Sequence, residues 1–299
     1  MGFWNKSKAL GIHCEGSRVF LAVLEMESKN RVEPVLLIEG KLPEVFDAYA
    51  LKDSGARNEV ADLIADIIEE NDINLRNVRF ALNYNSVFVK RSPISLGETN
   101  KIREHLRWEA ITILDAKDEM LVTDFFSVTD WTFSVAIREK VLGLYRDIAK
   151  RAGIKKMDVD VPHFGLYNAV DGAKFIDSSG SHILMYIGEN EVFVVLVNNG
   201  ELVQVGTYVK SNENSISQSV EDGIFSIISD LDDSVENVFC AGDFSDKWIE
   251  DLVNKLNANA IVLDPFSMTP NTISNCEQSN ELHSRFAIAI GLAKRELVS

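Results

Sequence analysis

Hydrophobic and polar positions along the chain fall into two repeats of one pattern. Residues 11–25, GIHCEGSRVFLAVLE, and residues 185–199, MYIGENEVFVVLVNN, each read as a short apolar strand, a tight polar turn and a strand rich in β-branched and aromatic side chains, which is a hairpin pattern. The copies align at a constant offset of 173 positions, His13 on Tyr186 and Val19-Phe20 on Val192-Phe193, so their turns have equal length. A third strand-like stretch follows each hairpin, residues 32–42 in the first half and 201–209 after Asn199-Gly200 in the second. Two lobes of similar plan are expected.

Helical periodicity then alternates with strands. Residues 57–71 put Val60, Ile64, Ile67 and Ile68 on one face, and residues 214–230 do the same with Ile216, Val220, Ile224 and Ile227-Ile228. Strands are expected at 78–82, 235–240 and 260–263, and helices at 244–256 and 281–297. Strands and helices in this order specify an α/β class with mixed sheets. A different module interrupts the first lobe. Residues 99–114 form a helix with Ile102, Leu106, Ala110 and Ile113 inward, and residues 120–128 and 131–138 alternate as a hairpin joined at Thr129-Asp130. A helix at 139–152 follows, closed by Gly153 as a left-handed cap. The organisation is therefore lobe I at 1–172, carrying a small α+β insertion at 92–138, and lobe II at 181–299.

Composition narrows the function classes. An apolar content of 46% and a charged content of 25% describe a chain able to bury a core, and 17 Gly, 6 Pro and 3 Cys exclude collagen-like and disulfide-scaffold architectures. Thirty Lys and Arg against 46 Asp and Glu leave a net charge of −16, a field that repels phosphate backbones, so nucleic-acid binding is set aside. Cys14, Cys240 and Cys276 are widely spaced and no secretory leader precedes them, which points to a reducing cytoplasm. No apolar run approaches the ~20 residues that span a bilayer. Residues 1–10, MGFWNKSKAL, combine Phe3 and Trp4 with Lys6 and Lys8, either as a contact with lipid headgroups or as a terminus whose aromatics tuck against the body. The myristoylation pattern fails at Lys6.

Candidate metal and nucleophile chemistry is thin. His13 and Cys14 are neighbours in a strand and point to opposite faces, and His105, His163, His182 and His283 show no ligand spacing, so no metal is expected. His13 reads as a structural histidine and Cys14 as a small buried apolar residue. His163, after Pro162, reads as part of a helix start.

Five segments carry a family resemblance: LGIHCEGSRVFLAVLE (10–25), FALNYNSVFVKRSPIS (80–95), IREHLRWEAITIL (102–114), FSVAIREKVLGLYRDIAKRAGIKKMDVDVPHFGLYNAV (133–170) and FAIAIGLAKRE (286–296). In order and spacing the chain resembles the superfamily of actin, sugar kinases and heat-shock chaperone ATPases. More narrowly it resembles the PilM family of type IV pilus assembly, with its MshI-like relatives and the cytoplasmic part of GspL in type II secretion. The resemblance implies an actin-like, ribonuclease H-like two-lobed fold. Nucleotide-binding members place Asp-x-Gly in both hairpin turns, the Gly admitting phosphate and the Asp holding Mg²⁺. Here those turns fall on His13-Cys14-Glu15 and Tyr186-Ile187-Gly188, and the base-side glycine turn on Cys240-Ala241-Gly242-Asp243-Phe244. The 33 residues from 207 to 239 leave lobe II with a reduced or missing insertion.

The expected nucleotide site is therefore degenerate at His13, Cys14, Glu15, Tyr186, Gly188 and Gly242, with no cofactor and no catalytic residue. The alternative is an actin-type ATPase that binds Mg-ATP with displaced carboxylates, Glu15 or Glu189. The resemblance also implies a non-enzymatic scaffold at the cytoplasmic face of a bacterial inner membrane. Its partner would be the cytoplasmic tail of a PilN-like membrane protein, held as an extended peptide in a groove between the insertion and the rest of lobe I. Other platform proteins or the assembly ATPase are further expected partners, and membrane association would run through them. Trp108, Arg107, Val87 and Phe88 are the candidate groove residues. Trp108 lies off the inward stripe of its helix, so it either packs on the Trp131 hairpin or stands exposed as an anchor.

Overall fold

The computed structural model describes residues 7–28, 31–47, 50–71, 73, 77–93, 99–116, 120–128, 131–170, 180–210, 218–229, 231, 234–244, 246–266, 271–272 and 278–298. The expectations placed on residues 1–6, on the Thr129-Asp130 turn and on Cys276 lie outside them. In lobe I the elements run β1 (Lys8–Glu15), β2 (Arg18–Ser28), β3 (Arg31–Lys41), α1 (Ser54–Glu70) and β4 (Val78–Ala81). The insertion follows, as β5 (Val87–Pro93), α2 (Thr99–Ile113), β6 (Leu121–Ser127) and β7 (Trp131–Arg138). Then come α3 (Glu139–Arg151), β8 (Met157–Asp160) and α4 (Pro162–Ala169). Lobe II consists of β9 (Ser181–Ile187), β10 (Glu191–Asn198), β11 (Glu201–Val209), α5 (Gln218–Ile228), β12 (Val235–Gly242), α6 (Asp246–Leu256), β13 (Asn259–Val262), β14 (Asn271–Thr272), α7 (Gln278–Arg285) and α8 (Ala287–Val298).

The two main sheets repeat one topology. Lobe I is ordered β3-β2-β1-β4-β8 and lobe II β11-β10-β9-β12-β13-β14. In both, an antiparallel meander leads to strands added in parallel, β4 on β1 and β12 on β9. The duplication holds to single-residue register: His13 sits opposite Phe20 and Tyr186 opposite Phe193. The β10–β11 turn is Asn199-Gly200, with φ of 50° and 80°, the pair of positive φ values that matches strand twist in a two-residue hairpin.

Each sheet is covered on both faces. One face of lobe I packs on α1 and α3 through Ile12, Val19, Ile64, Phe80 and Tyr145, and one face of lobe II packs on α5 and α6 through Ile183, Val194, Ile224 and Leu252. The facing sides are closed by two helices. α8 lies against β1, β2 and β4 of lobe I, α4 lies against β9, β10 and β11 of lobe II, and the two helices pack on each other. Sequence boundaries assign α4 to lobe I and α8 to lobe II, but each covers the sheet of the other lobe. The closing helix expected at 281–297 is two helices, interrupted at Phe286, whose ring is buried edge-on against Phe20 at 5.3 Å. A polar α7 suits the surface and an apolar α8 suits a buried seam, so the chain changes direction where its environment changes.

The insertion is broader than expected. β5 pairs with β7, so the small sheet is β5-β7-β6 and begins at Val87, upstream of 92. α2 covers one face through Leu106 and Ala110, with Ile111 and Leu114 beside them. Ile113, expected inward, is 51% exposed, because at the end of α2 it is Ile111 and Leu114 that turn toward the small core. The other face of the small sheet meets α4: Phe126 and Phe133 contact Phe164 at 4.8 and 6.2 Å between ring centroids.

Candidate functional site

The two hairpin turns meet at the mouth of the inter-lobe cleft. Each turn presents a glycine to a glutamate of the other lobe. The Glu15 carboxyl lies against Gly188, where a Cβ would fall 2.3 Å from Oε2, and the Glu189 carboxyl lies against Gly16, where a Cβ would fall 2.2 Å from Oε2. The Ser17 amide donates to Glu189 Oε2 at 2.9 Å, and its hydroxyl donates to the same oxygen at 3.2 Å. Arg18 then ties both lobes together: it donates to Glu15 Oε1 at 2.8 Å and pairs with Asp243 Oδ2 at 2.5 Å. Arg285 repeats the bridge between Asp243 at 3.2 Å and Glu39 at 2.9 Å.

Below this ionic rim the site is aromatic. His13 and Tyr186, at the two signature positions, are buried, and their rings meet edge to face at 5.5 Å, with Phe20 and Phe193 beside them. Burial, aided by Arg18, lowers the His13 pKa to about 3, so the imidazole is neutral. Burial raises the Glu15 carboxyl to about 8 against the pull of Arg18, with Glu191 and Asp243 adding to the rise. Cys14 is buried, and burial followed by Glu15 pushes its thiol up, so it is no nucleophile. Gly242 has φ of 81°, and a Cβ there would lie 2.3 Å from Ile187 O, so this glycine serves backbone packing between β9 and β12.

These residues do not fit magnesium triphosphate in the way Asp-x-Gly turns hold it. The space beside Gly188 is taken by a carboxyl group, the two ion-holding positions carry an imidazole and a phenol, and Arg18 is engaged by protein carboxylates. Among the described residues no three His, Cys, Asp or Glu side chains converge as a metal site. Sequence reading places six site residues here but misses the residues that close it, Arg18, Asp243 and Arg285. The local signal was Glu15 and Arg18 facing each other across a two-residue turn.

The four candidate partner residues divide into two places. Val87 and Phe88 line a cavity of about 260 Å³ with Tyr84, Val89, His163, Val205, Gly206 and Thr207. This cavity lies where β5 of the insertion meets β11 of lobe II, with Tyr84 and His163 of lobe I beside it. Arg107 and Trp108 stand on the solvent face of α2. Trp108 is 63% exposed and stacks on His105 at 6.2 Å, while the Trp131 ring is covered by the Arg91 guanidinium at 3.8 Å. His163 is buried, with Nε2 2.9 Å from both Gly206 O and Thr207 Oγ1, and burial lowers its pKa to about 4.

No family model and no curated protein sequence matches the chain. Solved structures do. A PilM–PilN type IV pilus biogenesis complex superposes with a TM-score of 0.74 at 19% identity, over 97% of this chain and 98% of that one. A Bacteroides thetaiotaomicron protein with an actin-like ATPase fold gives 0.56 at 10% identity, over 94% and 99%. The ethanolamine utilization protein EutJ from Carboxydothermus hydrogenoformans gives 0.50 at 10% identity, over 96% and 89%. With its duplicated sheets, exchanged covering helices and inserted small subdomain, this chain has the actin-like fold, in the arrangement found in the PilM–PilN structure.

Proposed function

We propose that the chain is a non-enzymatic actin-like scaffold of a type IV pilus or related secretion platform. In this reading it works at the cytoplasmic face of the inner membrane and holds the cytoplasmic tail of a PilN-like membrane protein. Likeness to the PilM–PilN structure along nearly the whole chain supports the class of partner. The observation that supports a scaffold without nucleotide chemistry is the reciprocal seating of Glu15 on Gly188 and Glu189 on Gly16. A carboxyl group seated on each turn glycine takes the room that a phosphate would need there. Among the described residues no helix is long and apolar enough to cross a membrane, so attachment through a partner's tail suits the chain.

Two measurements test this. Thermal unfolding with and without Mg-ATP should coincide, whereas occupancy at about 100 times a micromolar dissociation constant would add about 2.7 kcal/mol. Such a rise would favour the alternative, an ATPase that swings Glu15 or Glu189 onto a metal. Co-purification with the cytoplasmic tail of the membrane protein from the same assembly should succeed without nucleotide; repeated failure would end the scaffold reading.

A further inference from the structure

α2 is the outer layer of the insertion: its inner side covers the small sheet, and the other face of that sheet is taken by α4. Among the described residues nine large apolar side chains are exposed, and four of them, Trp108, Ile113, Met120 and Val122, belong to this one subdomain, on α2 and at the start of the strand β6 that it packs on. The cavity beside β5 takes none of the four, so they stand on a convex ridge and line no pocket. Cations accompany them. Lys101, Arg103 and Arg107 are exposed on the first half of α2 with Glu104 as the one carboxylate among them; Glu109 is paired with Lys90, and Asp115 lies beyond the far end of the helix. Lys101, His105 and Trp108 recur at spacings of four and three, which brings them to one side of the helix, and Arg103 reaches over the Phe125 ring at 5.8 Å. This local excess of positive charge sits in a chain of net charge −16. An exposed indole with long cationic side chains and aliphatic neighbours is the set favoured at the boundary between lipid headgroups and acyl chains.

We propose that the outer face of α2 rests directly on a bilayer surface rich in anionic lipid, with Trp108 at headgroup level and Arg103 and Arg107 on lipid phosphates. A flat partner fits a convex ridge that has no groove. The rest of the surface, acidic overall, is repelled by the same headgroups within a screening length of about 8 Å, so the charge asymmetry selects one orientation. One tryptophan and three cations make a weak contact. Its effect is greatest once a membrane protein's tail holds the chain at the bilayer, because tethering raises the effective concentration of the surface that α2 meets. Lipid contact of this kind extends the scaffold reading and is measured without the tail.

The test is flotation of the full chain with vesicles at low salt and millimolar lipid. Vesicles of equal parts phosphatidylcholine and phosphatidylglycerol should carry the protein, and vesicles of phosphatidylcholine alone should not. Trp108→Ala and Arg107→Glu, both at exposed positions and checked for unchanged melting, should each weaken binding about fivefold or more, and high salt should weaken it as well. Val35→Ser, at an exposed position of β3, should leave it unchanged. Brominated acyl chains should quench tryptophan emission in the parent and not in Trp108→Ala. Equal binding to both vesicles, binding to neither, or loss only when Phe3 and Trp4 are replaced overturns the proposal. So does a Trp108→Ala protein that floats like the parent but no longer co-purifies with the partner tail, which would assign the face to a protein. A tail that never binds, with flotation still dependent on Trp108 and Arg107, ends the scaffold reading and leaves α2 on the bilayer; flotation that fails while the tail binds does the reverse.

Discussion

Glu15 sets a pH dependence opposite to that of an ordinary surface carboxylate. Its folded pKa of about 8 lies above the usual 4.5, so across that interval the native state keeps a proton that the unfolded chain has released. Stability from this group is therefore fully present below the unfolded value and is lost as pH rises through about 8. His13 and His163 act on the other side: both are held neutral, at about 3 and about 4, so stability is lost as pH falls below 6.5. The two windows overlap between pH 4.5 and 6.5, and the expected melting profile has its maximum within that overlap. Glu15→Gln should flatten the alkaline limb measured from pH 6 to 9 and leave the acid limb intact; a residual slope comes from Glu191, which burial and Glu189 raise to about 7. At the other extreme of burial stands Trp108. Its solvent exposure predicts that Trp108→Ala changes urea-unfolding stability by less than about 0.5 kcal/mol, where a tryptophan packed on the hairpin would cost about 3–5 kcal/mol.

Among the elements, the α4–α8 crossing is the tightest. A Cβ on Gly291 would lie 1.7 Å from Gly165 O, a backbone atom that cannot yield without separating the helices. Gly291→Ala should cost about 3 kcal/mol in urea unfolding. Gly143, inside α3, has nothing within 4 Å of its added Cβ, so Gly143→Ala should instead stabilise by about 0.5–1 kcal/mol. The contrast assigns the crossing glycines to packing between lobes. Near the end of α8, Arg79 and Arg295 share Asp160 at 3.2 and 2.9 Å, and Arg79 also holds Glu296 at 2.6 Å, so the C-terminal helix is fixed to lobe I by buried charge as well as by apolar contact.

At the scale of the whole molecule, the lobes are joined by the α4–α8 seam and by the ionic rim of the closed cleft. Asp243 accepts from both Arg18 and Arg285, so Asp243→Ala removes the shared acceptor without touching either core. Both lobes should remain folded, while the Ser17 amide, which donates to Glu189 across the cleft, should exchange with solvent faster; unchanged exchange would show that the rim does not hold the lobes. High salt should have a similar but smaller effect, because screening weakens the exposed pairs with Glu39 and Asp243 more than it weakens the hydrogen bond from Arg18 to the buried Glu15.

Local pattern alone determined much of this protein. The hairpin pattern in residues 11–25 and 185–199, and the 173-residue offset between them, specified two hairpins with turns of equal length, and the structure has them, because a hairpin's turn length fixes which residues face each other. The amphipathic stripes of α1 and α5 were equally legible. Only the tertiary structure decided which lobe α4 and α8 would each cover, since the apolar run 286–293 is buried on every side and carries no preference of its own for one sheet over the other. It also decided that β5 joins the insertion, with Val87 turned toward lobe II, Phe88 packed on the core beneath α2 and Trp108 facing solvent, because strand pairing is set by partners distant in sequence. The meeting of Glu15, Glu189 and Arg18 at the mouth of the cleft was likewise a matter of two turns 173 residues apart coming face to face, an approach that no local pattern shows.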